Sequence, residues 1–297
     1  MSSEIFSQDN LRAKLNQGQN INIYKAPLIN TDKQRYGKII DVWTATGNPN
    51  AGGSFTSNGS ILNKQTTGAL QFRDSAEGKN LYLADVNFYS SWKNVTDNNG
   101  TFLTNISTGL IHVWDRLWQN GGLNFNTSYI ITQPSLTRYT AGDSLSLWFR
   151  EYTLTSPIAI TNFSVTYKNQ NNQSNIVKFD LSVNNGIAGS YDVFAVPLLS
   201  GDTGIRQVES VSTTSATAGT YGLFIGKYYG AFPFVVQNGF PVSNSLLNTL
   251  QQIDNNACLT FGIQMAGRAY DSVITTQHST TGTSMPSLMG NIRIIEA

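Results

Sequence analysis

The chain has 297 residues, of which 40% are hydrophobic and only 12% charged, and 19 basic against 18 acidic residues leave a net charge of +1. That length fits two average domains or one large β unit, and the apolar share suffices for a core. A neutral chain without a basic run is a poor candidate for nucleic acid or an anionic membrane surface. Two histidines and one cysteine leave few groups for metal binding or nucleophilic chemistry.

Residues 1–6 contain neither a basic n-region nor an apolar h-region, so no secretory signal is expected, and no stretch is apolar for long enough to span a bilayer. Ser7 can cap a short helix in which Phe6 and Leu11 occupy hydrophobic-staple positions, and Leu11 and Leu15 share a face. Phe6, Leu11 and Leu15 are therefore candidate interface residues of a helical arm, which either packs on its own domain or reaches a neighbouring subunit. An extended connector follows through Ile21, Ile23 and Tyr24 to Pro27. Residues 1–36 read as arm and connector, and 37–297 as the main domain, with a subdivision near 228–240.

From about residue 37 the apolar period becomes two. Tyr82, Ala84, Val86 and Phe88 alternate with Leu83, Asp85 and Asn87, and Leu145, Leu147 and Phe149 with Ser146, Trp148 and Arg150. Phe163, Val165 and Tyr167; Val177, Phe179, Leu181 and Val183; and Leu259, Phe261, Ile263 and Met265 alternate with polar or small residues. Each run predicts a strand with one buried and one solvated face, as in an antiparallel sheet. Turn signals separate the runs at Gly47-Asn48-Pro49, Asn99-Gly100, Gly121-Gly122, Asn185-Gly186 and Gly201-Asp202-Thr203-Gly204, and 169–175 reads as a hairpin loop. Tyr228 to Gly239 reads as a long loop. Ser243 can cap a late helix carrying Leu246, Leu247, Leu250 and Ile253, and Ile292-Arg293-Ile294 predicts a final strand. The expected fold is mainly β: an antiparallel jelly-roll-like β-sandwich with a short N-terminal helical arm and one short C-terminal helix.

The chemistry-bearing residues form no recognisable constellation. His112 and Asp115 are three positions apart, wrong for one face of a strand, and His278 lies in a polar segment. No set of ligands has zinc spacing, and the scarce carboxylates, Asp115, Asp143, Glu151, Asp192 and Glu209, read as turn caps and ion pairs rather than a hydrolytic pair. No catalytic, cofactor or metal residue is assigned. Cys258 lies in an apolar run and reads as a small buried residue. Among the five tryptophans, Trp148 falls on the face opposite Leu145, Leu147 and Phe149, so it is either exposed, as the candidate glycan-stacking platform, or faces a second layer; core or interface packing is the favoured reading for the aromatics as a set.

Several segments occur in an order that carries a resemblance. They are Tyr24-Lys25-Ala26, Val42-Trp43-Thr44-Ala45-Thr46-Gly47-Asn48-Pro49, Asp115-Arg116-Leu117-Trp118 with Gly121-Gly122-Leu123, and Leu136-Thr137-Arg138-Tyr139-Thr140. Val196-Pro197-Leu198 with Gly201-Asp202-Thr203-Gly204-Ile205-Arg206, Gly219-Thr220-Tyr221-Gly222-Leu223 and Asn256-Ala257-Cys258-Leu259 continue it. In that order the chain resembles a family of structural proteins from tailed bacteriophages. The resemblance implies a β-sandwich virion component on the outside of the capsid and assigns no binding residue. Asp115, Arg116 and Trp118 beside the Gly-Gly turn read as a structural corner. The function expected is a non-enzymatic decoration or cement protein, localised to the virion and contacting the major capsid protein or other virion proteins. It would act as a homo-oligomer, with a trimer favoured, because weak repeated contacts sum by multivalency. The alternative is a neck or tail protein adhering to host surface glycan, and a polysaccharide depolymerase comes third.

Overall fold

The computed structural model describes residues 8–26, 39–90, 108–154, 158–183, 192–213, 219–235, 242–245, 250–266 and 288–297. In chain order the elements are α1 (Gln8–Gln17), β1 (Gln19–Ala26), β2 (Ile39–Asp41), β3 (Thr46–Asn48), β4 (Ser60–Ile61), β5 (Leu81–Ser90) and β6 (Thr108–Gln119). Then come β7 (Leu123–Asn124), β8 (Tyr129–Ile130), β9 (Leu145–Leu154), β10 (Ile158–Asn169), β11 (Ser174–Val183) and β12 (Asp192–Ala195). The last are β13 (Ile205–Ser212), β14 (Gly219–Val235), β15 (Val242–Ser245), β16 (Gln251–Ile253), β17 (Leu259–Ala266) and β18 (Leu288–Glu296).

The architecture is mainly β, with antiparallel sheets. Its centre is a closed barrel of 6 strands, β6-β14-β9-β12-β2-β17, sealed where Tyr228–Val235 of β14 pairs with Thr108–Trp114 of β6. Every pairing around the ring is antiparallel. Closure removes the strand edges that an open sheet must protect. Because side chains alternate across a strand, the registers place Ile39, Asp41, His112, Trp114, Arg116, Trp148, Arg150, Val193, Phe224, Tyr228, Thr260 and Gln264 inside the barrel. Gly262 lies among them. A Cβ there would stand 2.6 Å from the Trp114 ring, so glycine is what lets that indole fit.

Two apolar cores flank the barrel. On one side Ile111, Val113, Leu259 and Phe261 pack with Leu83, Phe88, Ile292 and Ile294 of β5 and β18. On the other, Leu147, Phe149, Tyr221 and Leu223 pack with Phe163, Val165, Tyr167 and Val211 of a separate 4-stranded sheet, ordered β11-β10-β13-β8.

Several expectations change. The segment that reads as a loop from Tyr228 is strand as far as Val235, bent by a bulge at Tyr228/Gly230 where Gly230 has φ 135. The late helix is not formed at its described residues: Val242–Ser245 and Gln251–Ile253 are strands paired with β5, because sheet pairing there outweighs the helical spacing of the leucines. In β5 the face carrying Val86 and Phe88 continues through Leu83 and Leu81, not Ala84 and Tyr82, since the register slips between Asp85 and Leu83 opposite Arg293/Ile294. The solvated face expected for β9 and β17 is instead the barrel interior, so Trp148, Arg150 and Thr260 are buried. The alternation in β10 and the strand near Ile292 match expectation, the latter extended to Leu288–Glu296, and β10 and β11 form the hairpin read from 169–175. The N-terminal helix is present as α1 and lies against β18. The connector after it is extended and is a paired strand, with Gln19–Lys25 opposite Ile294–Leu288.

Candidate functional site

The two neighbours Asp115 and Arg116 sit on β6 and so face opposite ways. They do not pair with each other. Each organises its own cluster, one inside the barrel and one outside it.

Inside, Asp41 at the end of β2 receives Arg116 in a two-pronged contact, Nη2 to Oδ1 and Nη1 to Oδ2, both at 3.1 Å. Arg150 of β9 approaches Oδ2 at 2.6 Å, and the Trp43 N–H donates to Oδ1 at 3.0 Å. Burial would raise the Asp41 carboxyl, but the two guanidiniums and the Trp43 N–H more than offset this and hold it below the usual carboxylate range. Arg116 also donates to Gln119 Oε1 at 2.6 Å and lies 4.1 Å over the Phe224 ring; Arg150 lies 4.4 Å over Tyr152. One carboxylate thus binds three barrel strands together.

Towards the other end of the barrel the packing is aromatic. Trp114 meets Trp148 edge-on at 5.2 Å, Trp148 stacks on Phe224 at 6.0 Å, and His112, Trp114 and Tyr228 form a triangle with ring centres 5.8, 5.9 and 6.0 Å apart. His112 Nδ1 lies 2.8 Å from Tyr228 Oη and Nε2 lies 2.9 Å from Gln264 Oε1. The amide oxygen can only accept, so Nε2 carries the proton and the Tyr228 hydroxyl donates to Nδ1. Burial lowers the His112 pKa and keeps the ring neutral. Both ring nitrogens are thus engaged inside the barrel.

Outside, Asp115 Oδ1 accepts from Arg138 Nη2 at 2.7 Å and from the Cys258 N–H at 2.8 Å, and Oδ2 accepts from Arg138 Nε at 3.3 Å. Arg138 Nη1 donates onward to Leu62 O at 2.7 Å. Burial alone would lower the Arg138 pKa, but Asp115 outweighs it and keeps the guanidinium charged. Beside this pair Lys227 Nζ lies 4.7 Å from the Tyr139 ring centre and 5.6 Å from that of Tyr229. Burial lowers Lys227, raises Tyr139 to about 12 and raises Cys258 to about 12, so hydroxyl and thiol stay protonated at neutral pH. Tyr139 has φ 49, in the left-handed region, held by the Tyr139 O to Gly142 N–H turn. The cluster joins four distant segments around one carboxylate, which is the chemistry of a clamp.

The sequence-derived residues fall as follows. Asp115, Arg116 and Trp118 are fully buried, and Trp118 donates through Nε1 to Asn58 O at 3.1 Å. Trp148 is 6% exposed, so its ring is no platform for a sugar. Its strand belongs to a closed barrel, and the face opposite Phe149 turns inward. Leu15 is half-buried on α1; Leu11 lies on the same helix, and Phe6 and His278 lie outside the described residues. Asp202 accepts from Tyr167 Oη, Asn169 Nδ2 and Asn175 Nδ2 and ties its glycine turn to the small sheet. Among the described residues no three His, Cys, Asp or Glu side chains converge as metal ligands. Sequence reasoning missed Asp41, Arg150 and Lys227 as organising charges. The available signal was a charge inside an alternating apolar run, as at Arg150 after Leu145, Leu147 and Phe149.

Comparisons with protein-family models, with curated proteins and with solved structures find no match.

Proposed function

We propose that this chain is a non-enzymatic structural protein of a bacteriophage virion that decorates or cements the capsid and acts as a homo-oligomer. One observation carries the reading: on the outer face of the four-stranded sheet an uncharged row crosses all four strands, flanked by the Lys168–Glu209 pair and by Lys178 and Asp180. Ile176, Thr166, Ser210 and Ile130 stand in one row across its four strands, with Ile176 55% and Ile130 87% exposed. A flat row of hydroxyls between two isoleucines suits shallow contacts that gain strength by repetition on a lattice. The internal charge clusters support the same reading, since their groups are spent on holding strands together. The resemblance to tailed-phage structural proteins supplies the capsid as partner. The jelly-roll-like sandwich is the finer form of the fold that goes with this proposal, and it draws support from the small sheet layered over one barrel wall.

The test is the number of copies per purified particle relative to the major capsid protein. A ratio near one per capsid subunit or capsomer is expected. A few copies per particle would move the protein to the neck or tail and favour adhesion to host glycan, through residues other than Trp148. Absence from the particle would end the virion reading.

A further inference from the structure

The sheets treat their edges unequally. The large sheet ends in β3 and β4, of 3 and 2 residues, and the small sheet ends on one side in β8, of 2 residues. On its other side it ends in β11, which has 10 residues, contains neither proline nor glycine, and pairs with β10 alone among the described strands. A long regular edge is a template for another strand, and proteins ordinarily blunt it.

The hydrogen-bond phase of β11 shows which groups are on offer. Asn169 N–H donates to Gln173 O at 3.0 Å, so those two form a bonded pair at the mouth of the hairpin. Stepping by two along the register makes Tyr167–Asn175, Val165–Val177 and Phe163–Phe179 the bonded pairs. Ser174, Ile176, Lys178 and Asp180 then direct their N–H and C=O outward, and all four are exposed. Lys178 and Asp180 share the outer face. Asp180 is fixed there because its Oδ1 accepts the Asn162 N–H at 2.8 Å.

From this geometry we infer that β11 is a self-recognition edge: it pairs antiparallel with β11 of a second copy about a two-fold axis through Phe179. In that register Lys178 of each copy lies opposite Asp180 of the other, twice by symmetry, and both belong to the outward-directed set that can exchange backbone hydrogen bonds. Centring the axis on Lys178 would oppose two lysines, and centring it on Val177 would set Lys178 against Ile176; charge therefore selects Phe179. A lone lysine on an edge repels a second copy, but the aspartate two residues later turns the repulsion into a lock. The pairing would fuse two four-stranded sheets into one continuous sheet and double the contact face. It replaces the expected trimer with a two-fold unit. It rests on the reading of the chain as a self-assembling protein, but solution association tests the edge by itself and particle copy number tests the virion role.

The experiment is sedimentation of the full chain over a concentration series, with Lys178→Glu, Asp180→Lys and an equimolar mixture of the two. Each variant alone opposes like charges at both symmetric contacts and is expected to self-associate at least tenfold more weakly than the native chain. In the mixture the introduced glutamate of one variant faces the introduced lysine of the other, and the retained Asp180 faces the retained Lys178. Both opposite-charge contacts are thus restored, and association is expected to recover. Ile176→Pro, which removes an outward N–H while leaving the bonds to β10, is expected to abolish association with an unchanged circular dichroism spectrum. A native chain that stays monomeric throughout the series overturns the inference. So does native association that the charge variants leave unaltered, or a mixture that associates no better than its components.

Discussion

The closed barrel and the four-stranded sheet beside it solve the same problem in opposite ways. The barrel has no edges and carries charge and aromatic rings inside, with Asp41, Arg116 and Arg150 fully or almost fully buried. The small sheet keeps charge off its inner face, which is Phe163, Val165, Tyr167 and Val177, but leaves one side of a ten-residue strand unpaired among the described elements. Closure satisfies every strand and so tolerates a polar interior whose members must match in geometry. An open sheet packed on apolar side chains needs no such match but keeps an edge to offer. On the proposed self-pairing of β11, rigidity and association fall to different parts of one molecule.

The sharpest way to break this contrast is to remove a partner from the barrel. Arg116→Met should cost about 3–5 kcal/mol in urea unfolding, because Asp41 loses its two-pronged partner in a buried site. A loss under about 1 kcal/mol would show that the interior does not depend on matched charge. Phe163→Ala in the small sheet should cost about 3–4 kcal/mol by emptying an apolar site, whereas Phe163→Leu should cost far less, since the site asks for volume rather than pairing.

Two pH effects refine the comparison. Lys25 is buried, with Nζ donating to Ala45 O at 3.0 Å and Asn50 O at 3.2 Å, and burial lowers its pKa to about 8. A lysine whose folded pKa lies below its unfolded value penalises the fold while charged, and the penalty is relieved as pH rises from about 8 towards 10.5. Lys25→Met should lose that upward slope from its own stability curve, so that the difference between native and variant stability rises from about pH 8 towards 10.5. His112 works on the acid side. Its folded pKa lies below 6.5, so the unfolded chain takes up a proton that the folded chain resists, and stability falls as pH drops below 6.5. His112→Phe should flatten this limb, and an unchanged limb would mean that other groups cause it. The smallest effect belongs to the edge: Lys178→Ala should change monomer stability by no more than about 0.5 kcal/mol.

Much of the strand content was legible because alternation survives whatever covers the second face. Leu145, Leu147 and Phe149 announce a strand equally well beside water or beside a barrel interior. What alternation cannot say is which of these lies opposite, so Trp148 read equally as exposed or as facing a second layer. Closure depends on β14 meeting β6 far away in the chain, and no local pattern encodes that meeting. The leucines after Ser243 show the reverse failure: a good helical spacing overridden at its described ends by pairing to β5. At the site, Asp115 and Arg116 read as a pair pinning one corner, whereas they face opposite ways and their partners Arg138 and Asp41 come from distant segments. The period of two already implied that adjacent charges must serve opposite faces.

The path of β14 bears on how the molecule is made. Its 17 residues place Phe224 in the barrel, Leu223 in one flanking core and Phe234 in the other. His112 and Tyr228, joined across the closing seam, are 116 positions apart in the chain. During synthesis β6 and β9 therefore emerge well before the strand that unites them, and each must wait with its apolar residues unburied. The ring is complete only when β14 and then β17, which joins β2 to β6, have both emerged, and a chain halted before them is a natural client for chaperones.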